Sequence, residues 1–319
     1  MAGDALNDPL IITRAIHFAA TAITTGTLVF QALVAEPVLH SAETMASFMR
    51  TQIRRVAWLA LAITTVSGAI WVLLEAASMS GLPFSEALTG DVLSTVVNET
   101  QFGLVFEIRF VLAIILAACL AYDRFPLARW LGSASALGLV AAIAWTGHAG
   151  STAGEMGLLH LTADALHLIA SAAWIGGLVP FALLLGIAQR DRDGAWARLA
   201  RDATQRFSTL GIACVATVLG SGIVNAWILV GSVNGLIATQ YGRLLMLKIA
   251  LFAAMVAFAA VNRLWWTPQL ALPLGSATQL EALRRLTRNS VIEIALALMI
   301  FAIVGMLGTM HPAIHAFGA

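Results

Sequence analysis

Long apolar runs alternate with short polar connections along this chain. Eight runs lie near 10–35, 56–77, 103–122, 128–147, 157–187, 207–231, 242–262 and 289–310. Each holds about 20 residues or more, the length an α-helix needs to cross a ~30 Å hydrocarbon core. The pattern predicts an all-α polytopic membrane protein with eight transmembrane helices. Composition agrees: 60% of the 319 residues are hydrophobic and 11% charged, against about 25% charged in a soluble domain. The first run does not read as a cleaved signal peptide. It follows acidic Asp4 and Asp8, lacks a basic leader and is too long.

The arginines give the runs a direction. Connections after runs 1, 3, 5 and 7 carry Arg50, Arg54, Arg55; Arg124, Arg129; Arg190, Arg192, Arg198, Arg201, Arg206; and Arg263, Arg284, Arg285, Arg288, fourteen of the eighteen basic residues. The other four, Arg14, Arg109, Arg243 and Lys248, fall within helix ends on the opposite side. The positive-inside rule then predicts cytoplasmic arginine loops and both termini outside. A net charge of +1 gives no general pull towards nucleic acid, and no GxxxxGK[ST] stretch offers a nucleotide site. Cys119 and Cys214 stand alone inside helices 3 and 6. They read as packing residues, with no disulfide framework or thiolate relay.

The chain also resembles itself. Residues 15–29, AIHFAATAITTGTLV, match 165–179, ALHLIASAAWIGGLV, at seven of fifteen positions, including His17/His167 and Gly26/Gly176. Thr100-Gln101-Phe102-Gly103 with Arg109 is echoed by Thr239-Gln240-Tyr241-Gly242 with Lys248. Ser67-Gly68 with Trp71 echoes Ser221-Gly222 with Trp227, and Thr146-Gly147-His148 echoes Thr309-Met310-His311. Helices 1–4 thus resemble helices 5–8 in the same orientation. This implies two parallel four-helix pseudo-repeats, 1–150 and 151–319, in one membrane unit. A histidine duplicated this way suggests a site built between the halves.

Polar residues collect on the outer side. His17, His148, His160, His167, His311 and His315 lie there, and only His40 is cytoplasmic. His160, Asp164 and His167 follow i, i+4, i+7 and share about 60° of one helix face. The two histidines differ in height by ~10 Å, too far to share one small ion, so the trio forms a descending ladder. Met306 and Met310 add thioethers near His311. Imidazole with thioether suits copper, whereas magnesium or calcium wants oxygen. The predicted metal set is His17, His148, His160, Asp164, His167, His311 and Met310. The plainer readings are interface histidines at helix ends and methionines as core filler. Arg14 occupies the position of Asp164 in the other copy, either pairing with it across the repeat axis or limiting the passage of cations. Paired His17/His167 and His148/His311 could instead ligate b-type haem, with Gly26, Gly176 and Gly177 making room for the ring or simply packing helices closely. That alternative is an electron-transfer protein; a third is a scaffold or sensor that moves nothing.

Other features carry smaller expectations. Glu36, His40 and Glu293 near the inner side could form an exit site. Glu107 and Arg109, and Arg243 and Lys248, could neutralise one another, and Asn225 could join helices. Connection 78–102 is apolar enough for a short helix capping the bundle or offering an acidic dock. Loop 188–206 reads as a solvated face, and Trp174 as packing or a pocket wall.

Several stretches resemble the CopD copper-resistance membrane proteins. They are Arg14…His17, Thr100-x-Phe102-Gly103…Arg109, Gly147-His148-Ala149, Ala163-Asp164-Ala165-Leu166-His167…Trp174-x-Gly176-Gly177-Leu178, Thr239-x-Tyr241-Gly242-Arg243-Leu244-Leu245…Lys248, Asn262-Arg263 and Pro312. The resemblance implies a multi-pass protein of the bacterial inner membrane that is not an enzyme. It would move copper from periplasm to cytoplasm, beside a periplasmic copper-binding protein of the CopC type. Without a nucleotide site, such movement would run downhill or be driven by the donor.

Overall fold

The structure is a computed structural model that describes residues 2–39, 43–82, 84–123, 125–152, 154–191, 194–273 and 275–316. Eight helices are long and apolar enough to span a membrane: α1 Asp8–Leu39, α2 Met45–Ser80, α3 Gln101–Ala121, α4 Pro126–Thr146, α5 Gly154–Arg190, α6 Ala195–Val230, α7 Gln240–Gln269 and α8 Ala277–Leu307. No strand occurs among the described residues. All eight predicted spans are present. Three begin well before their apolar run: α2 at 45 rather than 56, α6 at 195 rather than 207, α8 at 277 rather than 289. Those leading turns carry the arginines. A helix satisfies its own backbone, so it continues past the hydrocarbon boundary wherever its polar face meets water. Hydropathy finds the buried part of such a helix and misses the rest.

Two helices form the centre. In their most apolar windows α1 is 72% and α5 61% buried, against 17% for α6 and 6% for α7. α1 packs on α2, α4, α5 and α8; α5 packs on α6, α8, α1 and α4; α3 leans on α4, and α7 on α8. α1 and α5 meet backbone to backbone at their glycines. A methyl on Gly26 would land on the Ala172 carbonyl and the Gly177 amide, and one on Gly176 on the Ala22 carbonyl. Small residues here permit close helix approach, so the glycines leave no slot for a flat ring.

The Thr-Gln-aromatic-Gly pair has a local cause. Thr100 caps α3 by accepting from Gly103 N–H at 3.0 Å while donating to the Val96 carbonyl at 2.6 Å. Thr239 caps α7 by accepting from Gly242 N–H at 2.9 Å and donating to the Gly235 carbonyl at 2.6 Å. Each threonine satisfies one orphan amide of its helix. A side chain at Gly103 or Gly242 would strike the preceding short helix, Gly90–Glu99 or Val233–Ala238. Connection 78–102 contains the expected short helix, as Phe84–Ala87 and Gly90–Glu99.

Candidate metal-handling site

Each duplicated histidine faces into its own half. On α1, Gly26 touches α5, and His17 stands nine residues earlier. Nine residues at ~100° turn the helix by about 180° from a given face, so His17 points away from the α1–α5 seam. Its ring meets Ser67 of α2 at Nδ1, 3.1 Å away, and Arg109 of α3 at Nε2. His167 makes the matching contact with Ser221 of α6, also at 3.1 Å through Nδ1. The glycine after each serine keeps the ring in place: Gly68 lies against His17 and Gly222 against His167.

Hydrogen-bond direction separates the two rings. Ser67 donates to the Ile63 carbonyl at 2.6 Å, and Ser221 to the Thr217 carbonyl at 2.6 Å. Each hydroxyl has a single proton, so each serine oxygen accepts from histidine Nδ1–H. The remaining lone pair in each ring is on Nε2. In the first half the Arg109 guanidinium, which has only donors, occupies it, and the same arginine donates to the Leu139 carbonyl. In the second half Lys248 takes the place of Arg109, nine residues after the capping threonine. It lies near both Asp164 and His167. His167 Nε2 makes no hydrogen bond among the described residues.

The neighbours one turn away diverge further. Arg14 lies over Trp71 with its guanidinium carbon 5.0 Å from the ring centre, and Trp71 Nε1 donates to Glu75 at 2.9 Å. The corresponding contact in the second half is Asn225 Nδ2 donating to Asp164 Oδ1 at 3.0 Å. The partner of Trp71 by position is therefore Asn225, four residues after its serine, not Trp227, which is 62% exposed. Arg14 and Asp164 form no ion pair among the described residues. Asn225 does join helices, as expected, whereas Arg109 pairs with His17 and not with Glu107. The first cluster is sealed, with Arg14, His17 and Arg109 all buried. Asp164, His167 and Lys248 are half-buried.

A third group lies nearer the ends of α4, α5 and α8. His160 is buried, and its Nδ1 is 2.8 Å from Thr152 Oγ1, which donates to the His148 carbonyl at 3.0 Å. His160 therefore also holds its Nδ1 proton on a hydroxyl and keeps Nε2 as its lone-pair nitrogen. His148 Nε2 is 3.5 Å from the Leu307 carbonyl, and its ring lies 6.4 Å from that of Tyr241. Met310 packs against the cluster of Val230, Tyr241, Ile303 and Leu307, and His311 is exposed. Among the described residues no three His, Cys, Asp or Glu side chains converge closely enough to cage one ion.

Of the expected inner group, Glu36 and Glu293 are held by different partners, and His40 lies outside the described residues. Glu36 is clamped by Arg50 through bonds of 2.9 and 2.6 Å, with Arg129 at 3.8 Å. Glu293 sits elsewhere, bonded to Asn262 at 2.9 Å. His40 and the side chain of His315 lie outside the described residues. Trp174 is both packing and wall: it is 3% exposed and lines a cavity between α5, α6, α7 and α8.

The family model described as "Copper resistance protein D-like, N-terminal domain" matches residues 5–158, and that described as "Copper resistance protein D" matches 201–307. Copper resistance protein D of Pseudomonas syringae pv. tomato is 33% identical over 224 residues, 69% of this chain and 72% of that protein. The chain belongs to the copper resistance protein D family. Inner membrane protein YebZ of Escherichia coli (strain K12) is 27% identical over 304 residues, 95% of this chain and 98% of its own length. Copper transport protein CutJ of Bacillus subtilis (strain 168) is 34% identical over 125 residues, 39% of this chain and 22% of that larger protein. No solved structure matches. The family is one of copper resistance and transport, not a known class of enzyme. His160, Asp164 and His167 fall between the two matched stretches, and Met310 and His311 beyond them.

Proposed function

We propose that this family member takes copper as its cargo at the histidine-bearing end of its second half and passes it towards the arginine-bearing end. The single observation carrying this is the state of the ring nitrogens. His160 and His167 each anchor Nδ1–H on a hydroxyl and have an Nε2 with no hydrogen bond among the described residues. An imidazole ligand is prepared this way, its second nitrogen fixed by an outer partner. Asp164 lies one helical turn from both, His148 shares Thr152 with His160, and Met310 packs beside Tyr241, whose ring faces His148. Imidazole, thioether and one carboxylate suit copper better than a hard divalent ion. A rung with one or two strong ligands holds copper loosely enough to release it, which fits transfer better than storage. His17, whose Nε2 lone pair Arg109 occupies, has a structural part here.

The same reading places the protein in a bacterial inner membrane, with both termini and the histidines on the periplasmic side. It treats 1–150 and 151–319 as parallel pseudo-repeats of one unit, supported by the matched serine–histidine contacts and threonine caps. A periplasmic copper-binding protein of the CopC type would be the donor, and copper would move inward without nucleotide hydrolysis.

The test is copper titration of purified protein, with uptake into reconstituted vesicles as the second measurement. Glutamine keeps one donor and one acceptor but is a poor copper ligand. His167→Gln and His160→Gln should each weaken copper binding and slow uptake, while His17→Gln should keep both. Unchanged affinity in the His160→Gln/His167→Gln double variant would overturn the assignment.

A further inference from the structure

The most deeply set carboxylate outside the histidine clusters is Glu293 of α8, 2% exposed. Its Oε1 accepts from Asn262 Nδ2 at 2.9 Å, and Asn262 Oδ1 accepts from Asn289 Nδ2 at 2.7 Å. The amide chain thus runs in one direction, from Asn289 through Asn262 to the carboxylate. It leaves Asn289 Oδ1 buried with no partner. Ser290 Oγ, on a side chain 0% exposed, has none either. Asn289, Ser290 and Glu293 lie within about one turn of α8. Asn262 begins the π-helical turn Asn262–Trp266 of α7, a feature common at functional sites. Asn262, Ser290 and Glu293 line a cavity of about 350 Å³ between α5, α6, α7 and α8.

Among the described residues no cation bonds this carboxylate. The other charged residue lining the cavity is Arg263 of α7, which donates to Ser208 of α6 at 2.7 Å. The walls from α5 and α6 carry only aromatic, aliphatic and hydroxyl side chains or glycine. A charge in a membrane-spanning segment without a partner costs several kcal/mol, and buried polar atoms are normally paired.

We propose that Glu293, Asn262, Asn289 and Ser290 form a second cation site, for a hard monovalent cation, separate from the copper ladder. The available donors are a carboxylate, amide carbonyls and a hydroxyl, all oxygen. Such a set favours hard cations over copper. One carboxylate balances one positive charge; a divalent ion would leave a net charge in the low-dielectric interior. Sodium held by the oxygens and a proton held on Glu293 share this chemistry. The site lies fourteen residues along α8 from Leu307, the residue His148 touches, or about 21 Å. Cation exchange there could be coupled to copper movement without sharing a ligand with it.

The experiment uses the full chain in lipid nanodiscs, free of copper. Unfolding midpoints are compared in sodium chloride and choline chloride at equal ionic strength. The infrared C=O stretch of protonated carboxyl groups is followed over roughly pH 5 to 9. For sodium, the midpoint rises with sodium but not choline, the response vanishes in Glu293→Gln, and the half-saturating sodium concentration in Ser290→Ala is roughly tenfold higher. For a proton, sodium has no specific effect, and a protonated-carboxyl band disappears at high pH and is missing in Glu293→Gln. Ser290→Ala, which removes one hydroxyl, keeps the test readable if Glu293→Gln does not fold, because it must move the sodium response or the band's midpoint. A wild-type protein with neither response overturns the proposal. Copper titration of the same samples is expected to be unchanged in Glu293→Gln and Ser290→Ala, so a failure here leaves the histidine assignment intact.

Discussion

The two halves build the same serine–histidine contact, 3.1 Å long in each, and surround it with opposite chemistry. In the first half Arg14, Trp71 and Arg109 enclose His17 with two guanidinium groups and an aromatic wall. In the second half Asp164, Asn225 and Lys248 surround His167 with one carboxylate, one amide and one ammonium. The reach of the third-helix cation matters most. A guanidinium presents a fork of five donors, while an ammonium is a compact point charge. Arg109 bonds both His17 and a backbone carbonyl, and Lys248 leaves His167 Nε2 unbonded. The ring in the first half is tied at both nitrogens, and the ring in the second half at one.

The largest expected effect separates these roles directly. His167→Gln should weaken copper binding by about a hundredfold, the loss of one direct ligand, worth ~2.7 kcal/mol, whereas His17→Gln should change it less than about twofold. Isothermal titration with copper reads both, and equal losses would erase the distinction between halves. Exchanging the third-helix cations should exchange the behaviour. Lys248→Arg should cover His167 Nε2 and weaken copper binding by roughly 10–100-fold, while Arg109→Lys should uncover His17 and add a weaker copper equivalent. An unaltered titration for both would show that the cation does not gate the ring. The serines give a smaller contrast. Ser221→Ala should weaken copper binding about tenfold by loosening its histidine, and Ser67→Ala should cost about 1 kcal/mol of stability without altering copper affinity. The smallest effect should be equal on both sides. Thr100→Ala and Thr239→Ala each remove the same helix cap, so each should cost about 1 kcal/mol, read as similar drops in unfolding midpoint. A large inequality would mean that the repeated motif does different work in the two halves.

Much of this was legible in the chain. Apolar runs gave the eight helices, because a backbone in hydrocarbon must satisfy itself internally. The threonine–glycine motif is visible in the chain as a repeat, and its work as a helix cap shows in the structure. The central contact was also visible in part: histidine and glycine nine residues apart on a straight helix face opposite ways. That offset, set beside the glycines at the α1–α5 crossing, already argues that His17 does not face the other half. Reading the histidines as a shared site followed their duplication and overlooked the helical phase. Trp71 was matched to Trp227 by residue type, yet the helix register pairs it with Asn225. The polar group of Asn262, Asn289, Ser290 and Glu293 left almost no mark in the sequence. Its members come from two helices and meet only when α7 lies against α8.

By itself, then, the sequence determined whatever depends on one helix and its solvent: the number of spans and the face shared by His160, Asp164 and His167. Those follow from local periodicity and from transfer between water and hydrocarbon. The tertiary structure alone decided which ring nitrogens remain available, because that depends on whether a cation from a third helix reaches them. Arg109 reaches His17 and Lys248 does not bond His167, a difference made by side-chain length and fork geometry across a helix–helix gap. No pattern along a single chain encodes that gap, and it separates the sealed histidine from the half-buried one.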